Sequence, residues 1–157
     1  MFGRQSLWPR QRRADQEGTA QALHTIEEVQ LDPFNIVARS HHIVLWSRLG
    51  GYEPAYLHHL LYHARHFFDY GGGLCIYPMT ELPFWRLHMR RREQEGRWAD
   101  FAGQRVNNYR GGKDTALAFY YPWLTGELMI HHRQGFERVY DFREPIAPPT
   151  VDYVAPE

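Results

Sequence analysis

VQLDPFNIVARSHHIVLWSR, residues 29–48, decides how the rest of the chain is read. Gln30 and Asp32 stand at its head and Pro33 follows. A proline pushes the residue before it out of the α region, so Asp32 is expected to be extended. Residues two apart in an extended segment point the same way, so the Gln30 amide and the Asp32 carboxylate should project together. A helix is then predicted over 33–49, with Pro33 as its first residue and Asp32 as its N-cap. At helical spacing Phe34, Val37, His41, Val44, Leu45 and Leu49 share one face, with Ile36 and Ile43 nearly opposite. Between them Asp32, Asn35, Arg39 and His42 form a polar stripe. A helix buried on two sides, with one polar seam leading to a carboxylate, has the form of a site's wall.

Upstream, residues 1–18 are polar and carry Arg4, Arg10, Arg12 and Arg13, which reads as a loose arm; a short helix is predicted over 20–29. Downstream, Gly50-Gly51 stops the central helix and Pro54 opens another, predicted over 54–70. Tyr56, Leu57, Leu60, Leu61, Ala64, Phe67 and Phe68 give it one broad apolar face. His59, His63 and His66 lie on its polar side. Two of them, His59 and His63, are at i, i+4 and open to metal, yet no carboxylate or cysteine sits at a telling spacing, so a solvated or phosphate-facing stripe is preferred and no metal is assigned. Leu74 to Tyr77 is a short strand candidate. A helix is predicted over 84–95, where Arg86, Arg90, Arg91 and Arg92, with Arg97 beyond, make the densest basic patch. A further helix is predicted over 113–125, although Pro122 removes a backbone donor inside it and is expected to kink or end it. Leu128 to Arg133 and Phe136 to Tyr140 flank Gln134-Gly135, the sign of a β-hairpin turning across those two residues.

Composition sets outer bounds. The chain has 157 residues, enough for one ordinary domain or two very small ones. Eighteen basic and eighteen acidic side chains cancel, so any nucleic-acid footprint must be local rather than global. Lys113 is the only lysine, and arginine suits forked phosphate and base contacts. Cys75 stands alone, which excludes an internal disulfide and fits a reducing cytoplasm. No apolar run is long enough to span a membrane, and no signal-peptide pattern opens the chain.

The block VQLDPFNIVARSHHIVLWSRLG resembles the winged-helix DNA glycosylases that unhook interstrand crosslinks, the AlkZ and YcaQ kind. Their signature of Gln, an apolar residue, then Gln or Asp is matched by Gln30-Leu31-Asp32. The likeness extends over His24 to Arg92 and again over Tyr109 to Pro145. It implies a mainly α fold with a small antiparallel β-hairpin (α+β), in a tandem winged-helix arrangement whose second unit is abbreviated. The expected division is a basic arm over 1–18, a first winged-helix-like unit over 19–96, a shortened unit over 97–145 and an irregular tail over 146–157. The stretch 97–108 is shorter than in relatives and Pro122 replaces an ordinary helix former, so a shortened member is expected.

The resemblance also implies a chemistry: removal of N7-alkylated purines, including those tethered across two strands. Such a base already carries positive charge and leaves without a general acid. The site must supply a held water and negative charge beside the developing oxocarbenium sugar. Asp32 can stabilise that cation or act as base, and Gln30 can orient the water, by the logic of inverting glycosidases. A crosslinked base cannot simply be extruded, so an open site suits it better than a deep pocket. The bland reading of Asp32 is a helix cap, and the two roles can coexist. Candidate DNA contacts are Asn35, Arg39 and His42 beside the motif, Arg86, Arg90, Arg91 and Arg92 on the basic helix, Arg110 and Lys113 before the next, and His131, His132, Arg133 and Arg138 on the hairpin. The implied partner is double-stranded DNA, damaged or crosslinked, with no cofactor and no obligate protein partner, at work in the cytoplasm on the nucleoid. A non-catalytic winged-helix regulator and an inactive remnant of the family are the competing readings.

Overall fold

The computed structural model describes residues 13–32, 34–96 and 114–156. Helices and two small antiparallel sheets make it α+β. The described residues fall in two compact units, one up to Thr80 and one from Glu81.

The first unit begins with α1 (Gln16–Ile26), whose N-cap Asp15 accepts from the Gly18 N–H. The expected helix over 20–29 therefore starts and ends earlier, because the acidic cap and Glu17 in the first turn favour this start. The strand β1 (Val29–Gln30) follows, then α2 (Ser40–Leu49), α3 (Pro54–Tyr62), β2 (Phe67–Tyr70) and β3 (Cys75–Pro78). The three strands form one sheet in the order β1-β3-β2, with Val29 opposite Ile76 and Phe67 opposite Pro78. Ala22, Leu23, Leu45, Leu49, Leu57, Leu60, Leu61, Phe67 and Ile76 form its core.

Two predicted helices are corrected here. The central one begins at Ser40 and not near residue 33, and residues 34–39 are an irregular loop. Asp32 spends its carboxylate on the Phe34 N–H, 2.9 Å away. That local turn competes with helix initiation, and the β-branched Ile36-Val37 pair gives the helix little to propagate with. Phe34 and Val37 are consequently exposed, not part of an apolar helix face, and Asp32 is not an N-cap. The helix predicted over 54–70 stops at Tyr62. Arg65 takes a left-handed conformation at φ 55° and the chain reverses into β2. Phe67 and Phe68 are buried as expected, but on a strand: the turn through Gly71 lets this aromatic stretch pair with Cys75–Pro78, and pairing outweighs helical periodicity.

The second unit holds α4 (Leu82–Gln94), α5 (Asp114–Thr125), β4 (Leu128–Gln134) and β5 (Glu137–Phe142). Helix α5 continues through Pro122 rather than ending there. Trp123 and Leu124, both buried, hold its last turn, which closes at Gly126 with φ 77°. The β4–β5 hairpin matches expectation except that Gly135 and Phe136, not Gln134 and Gly135, are the turn residues. Glycine at φ 63° in the first central position and no positive φ at the second is the pattern of a type II′ turn. A register shift between Ile130 and His132 inserts His131 as an extra residue, which bends the strand and re-aims the histidines. Among the described residues, no helix is long and apolar enough to cross a membrane.

Candidate functional site

Gln30 and Asp32 sit at the sheet edge of the first unit. Val29 and Leu31 are buried at 4% exposure each, while Gln30 is exposed and Asp32 half-buried. This alternation is that of an extended segment, so the amide and the carboxylate do project to one side. The Leu31 N–H donates to the Leu74 carbonyl at 2.7 Å, prolonging the pairing of Gln30 with Cys75 past the end of β1.

One histidine of α2, His41, holds the segment, and its ring lies 4.2 Å from that of its neighbour His42. His41 is 4% exposed, and its Nδ1 accepts from the Asp32 N–H at 3.4 Å. That bond places the neutral ring's proton on Nε2. Helical periodicity puts His41 on an apolar face, which accounts for its burial but carries no hint that it holds the Asp32 backbone. His42 is half-buried and its Nδ1 lies 2.9 Å from the Tyr52 hydroxyl. Burial, and then the nearby Arg39 guanidinium, push its pKa below the ordinary 6.5. The unfolded chain therefore takes up the His42 proton first as pH falls. Stability is fully present above 6.5 and declines as pH drops below it, until the folded ring protonates too. Urea midpoints measured at descending pH should show this decline, and His42→Gln should flatten it; an equal slope in the variant contradicts the assignment.

The expected polar stripe is divided by the loop. Asn35 is exposed within residues 34–39, Arg39 is half-buried just before α2, and His42 is in its first turn. Cys75, paired with Gln30 across the sheet, is no nucleophile: burial first, then the Glu28 carboxylate, push its thiol up to about 11. His59 on α3 stacks at 5.5 Å on His63, the residue that caps the helix's C-terminus, whereas His66 lies farther on. Among the described residues no group of three His, Cys, Asp or Glu is placed to hold a metal ion.

The second unit sorts the predicted basic contacts. Arg90, Arg91 and Arg92 are exposed on α4. Arg86 turns inward, its side chain only 18% exposed, and donates to the Gly126 carbonyl at 3.2 Å. Arg143 meets the same carbonyl at 2.7 Å and the Asp152 carboxylate at 2.8 Å. Burial and the neighbouring Arg143 lower the Arg86 pKa, against the opposing pull of Asp152. Arg86 is thus a girder holding the chain's return past α4, a role that α4's arginine run in the sequence conceals. Arg143 and Asp152 carry no signal in the sequence because their partnership is formed only by the fold. These two arginines, with Arg90, Glu93, Thr125, Glu127 and Val154, line a cleft of about 440 Å³.

On the hairpin, His131 is exposed and its Nδ1 lies 2.8 Å from that of the half-buried His132. Arg133 is turned onto its own turn, donating to the Phe136 carbonyl at 3.0 Å, with its guanidinium 4.8 Å from the Phe136 ring. Arg138 lies 4.5 Å over the Trp123 ring and donates to the Tyr140 hydroxyl at 3.3 Å. Arg110 and Lys113 lie outside the described residues.

An exposed amide and a half-buried carboxylate thus share one strand edge, with the Asp32 backbone held by the buried His41 of α2, a helix whose other side, at Ile43 and Trp46, is exposed rather than buried as expected. The sequence model of the AlkZ-like DNA glycosylase family matches residues 23–116, a span that takes in Gln30, Asp32 and the whole of α2, α3 and α4. That is more than half of the chain, and the chain belongs to the AlkZ-like DNA glycosylase family. The family is one of DNA-repair glycosylases, and DNA is the substrate it implies. The β4–β5 hairpin lies beyond the matched span. No solved structure matches the chain.

Proposed function

We propose that this chain hydrolyses the N-glycosidic bond of N7-alkylated purines in duplex DNA, including purines crosslinked between strands. The observation that carries the reading is the outward projection of Gln30 and Asp32 from a pinned strand edge inside the matched span. Asp32 supplies negative charge beside the cationic sugar, and Gln30 orients the attacking water. One Asp32 oxygen is engaged by the Phe34 N–H, but a carboxylate has two oxygens and about four lone-pair sites, so acceptor capacity remains. The edge position suits a base that stays tied to the opposite strand. Incubating the purified chain with a duplex carrying one N7-methylguanine, then cleaving abasic sites with alkali, tests this. Strand breaks at the modified position support it; an intact strand at enzyme excess refutes it.

Element order supports a winged-helix reading of both units. The first runs α1-β1-α2-α3-β2-β3 with its sheet ordered β1-β3-β2, and in the second α5 leads directly into the β4–β5 hairpin. In this reading the second unit is the abbreviated one. The basic helix α4 provides the phosphate grip through Arg90, Arg91 and Arg92. Work on chromosomal DNA in the cytoplasm follows from the same assignment.

The grip has a quantitative consequence. Affinity for duplex DNA should fall steeply with salt, and each of Arg90, Arg91 and Arg92 replaced by alanine should reduce the slope of log K against log salt by about 1. Arg86→Ala should leave the slope alone and lower stability instead, since its guanidinium is engaged inside the unit. Fluorescence anisotropy across a salt series reads both. An unchanged slope in the triple variant returns those three arginines to a merely solvated face.

A further inference from the structure

Three of the most exposed apolar side chains in the described residues stand almost consecutively, directly after the carboxylate: Phe34 at 74%, Ile36 at 94% and Val37 at 92%. Large apolar groups held in water this way mark a surface made to meet something. Both ends of the loop are anchored. Asp32 accepts from the Phe34 N–H and is itself held by buried His41, while Arg39 carries the first turn of α2 through the His42 N–H at 2.9 Å. The apolar tip is therefore presented from a fixed base.

We infer that residues 34–37 form an apolar wedge that enters the base stack of duplex DNA beside the nucleotide that Asp32 addresses. The inference rests on the glycosylase reading and adds positioning residues to it. Phe and Ile are among the side chains that separate base steps when a protein kinks a duplex, and burying three such groups offsets the loss of stacking at a step. Reach agrees. At about 3.3–3.6 Å per residue, Phe34 lies within about 7 Å of Asp32 and Val37 within about 18 Å. Bases along a strand are about 3.4 Å apart, so the tip falls within roughly two to five steps of the target sugar. Charge along the loop itself is modest: residues 33–38 carry no charged side chain, so the apolar tip enters without bringing a charge into the stack. For a crosslinked purine, which cannot be extruded, parting the neighbouring step is the way to bring the sugar to a strand edge.

The test pairs an optical reading with a kinetic one. The optical probe is a duplex with 2-aminopurine beside an N7-methylguanine whose 2′-fluoro sugar resists hydrolysis. Wild type should brighten the 2-aminopurine several-fold on binding. The triple variant Phe34→Ser, Ile36→Ser, Val37→Ser should bind, as anisotropy shows, without brightening. It should also release N7-methylguanine from ordinary duplex at least tenfold more slowly, yet from single-stranded DNA, where no stack needs opening, within about twofold of wild type. Phe34→Leu with Ile36→Leu should retain the wild-type behaviour. Because these side chains are exposed, the triple variant should unfold at the wild-type urea midpoint. Brightening in the triple variant, or wild-type release from duplex, overturns the wedge. So does a change from dimer to monomer in sedimentation without either effect, since a second copy would then be the occupant. Brightening by a wild type that releases no base leaves the wedge standing and removes the catalytic reading. Absence of any DNA binding removes both.

Discussion

Asp32→Asn should cut single-turnover release of N7-methylguanine by roughly 10² or more while changing stability by well under about 1 kcal/mol. The two halves have separate causes. Stability survives because the structural duty of Asp32 is to accept from the Phe34 N–H at 2.9 Å, and an asparagine oxygen forms the same local turn. The backbone contact of His41 with the Asp32 N–H is untouched by the change. Rate collapses because the charge goes. A full negative charge about 4 Å from a cationic sugar is worth about 4 kcal/mol at an effective dielectric near 20, which corresponds to nearly a thousandfold. Partial exposure of Asp32 reduces this towards a hundredfold. Gln30→Ala should fall less, since the water loses its guide and the carboxylate remains. Equal loss of stability and rate in the asparagine variant would show Asp32 to be a turn residue.

Trp123→Ala should remove about 3–5 kcal/mol from the second unit. Trp123 is 1% exposed, on the last turn of α5 behind Pro122. Its ring carries the Arg138 guanidinium at 4.5 Å and lies 6.4 Å from the Tyr140 ring, which stacks in turn on Phe119 at 5.8 Å. One truncation therefore opens a cavity and also unseats the hairpin from the helix. A midpoint lowered by roughly 10 °C or more is expected in thermal unfolding, with faster hydrogen exchange of the β4–β5 amides. A loss under about 1 kcal/mol would mean that the ring does not hold the hairpin. Base release measured well below the new midpoint should be affected far less than in Asp32→Asn, because the motif lies in the other unit.

Much of the fold and of the site is legible in local signals along the chain. Alternating burial around Gln30-Leu31-Asp32, the amphipathic start of α3 at Pro54, helices α4 and α5, and the β4–β5 hairpin all follow from periodicity and turn chemistry. The rest is decided by competition between local and long-range bonding. Asp-Pro reads as a helix start, yet the Asp32 carboxylate closes a two-residue turn and delays α2 to Ser40. Phe67 and Phe68 continue the periodicity of α3, yet a partner strand beyond Gly71 claims them. Arg86 belongs to an arginine run on the sequence, but Gly126 and Asp152, far along the chain, turn it inward. The last two misses arise from partners outside a short window of sequence, whereas the first is a local turn that outcompetes an equally local helix signal.

If the charge at Asp32 stabilises the sugar cation as the bond to the alkylated purine breaks, a duplex joined by an N7-guanine interstrand crosslink shows it, incubated with excess wild type or Asp32→Asn and resolved on a denaturing gel. Wild type should separate the strands and leave an abasic site on one of them, while the asparagine variant, bound equally well, should leave them joined. Strands that stay joined with wild type, or that separate equally with both proteins, contradict that role of the charge.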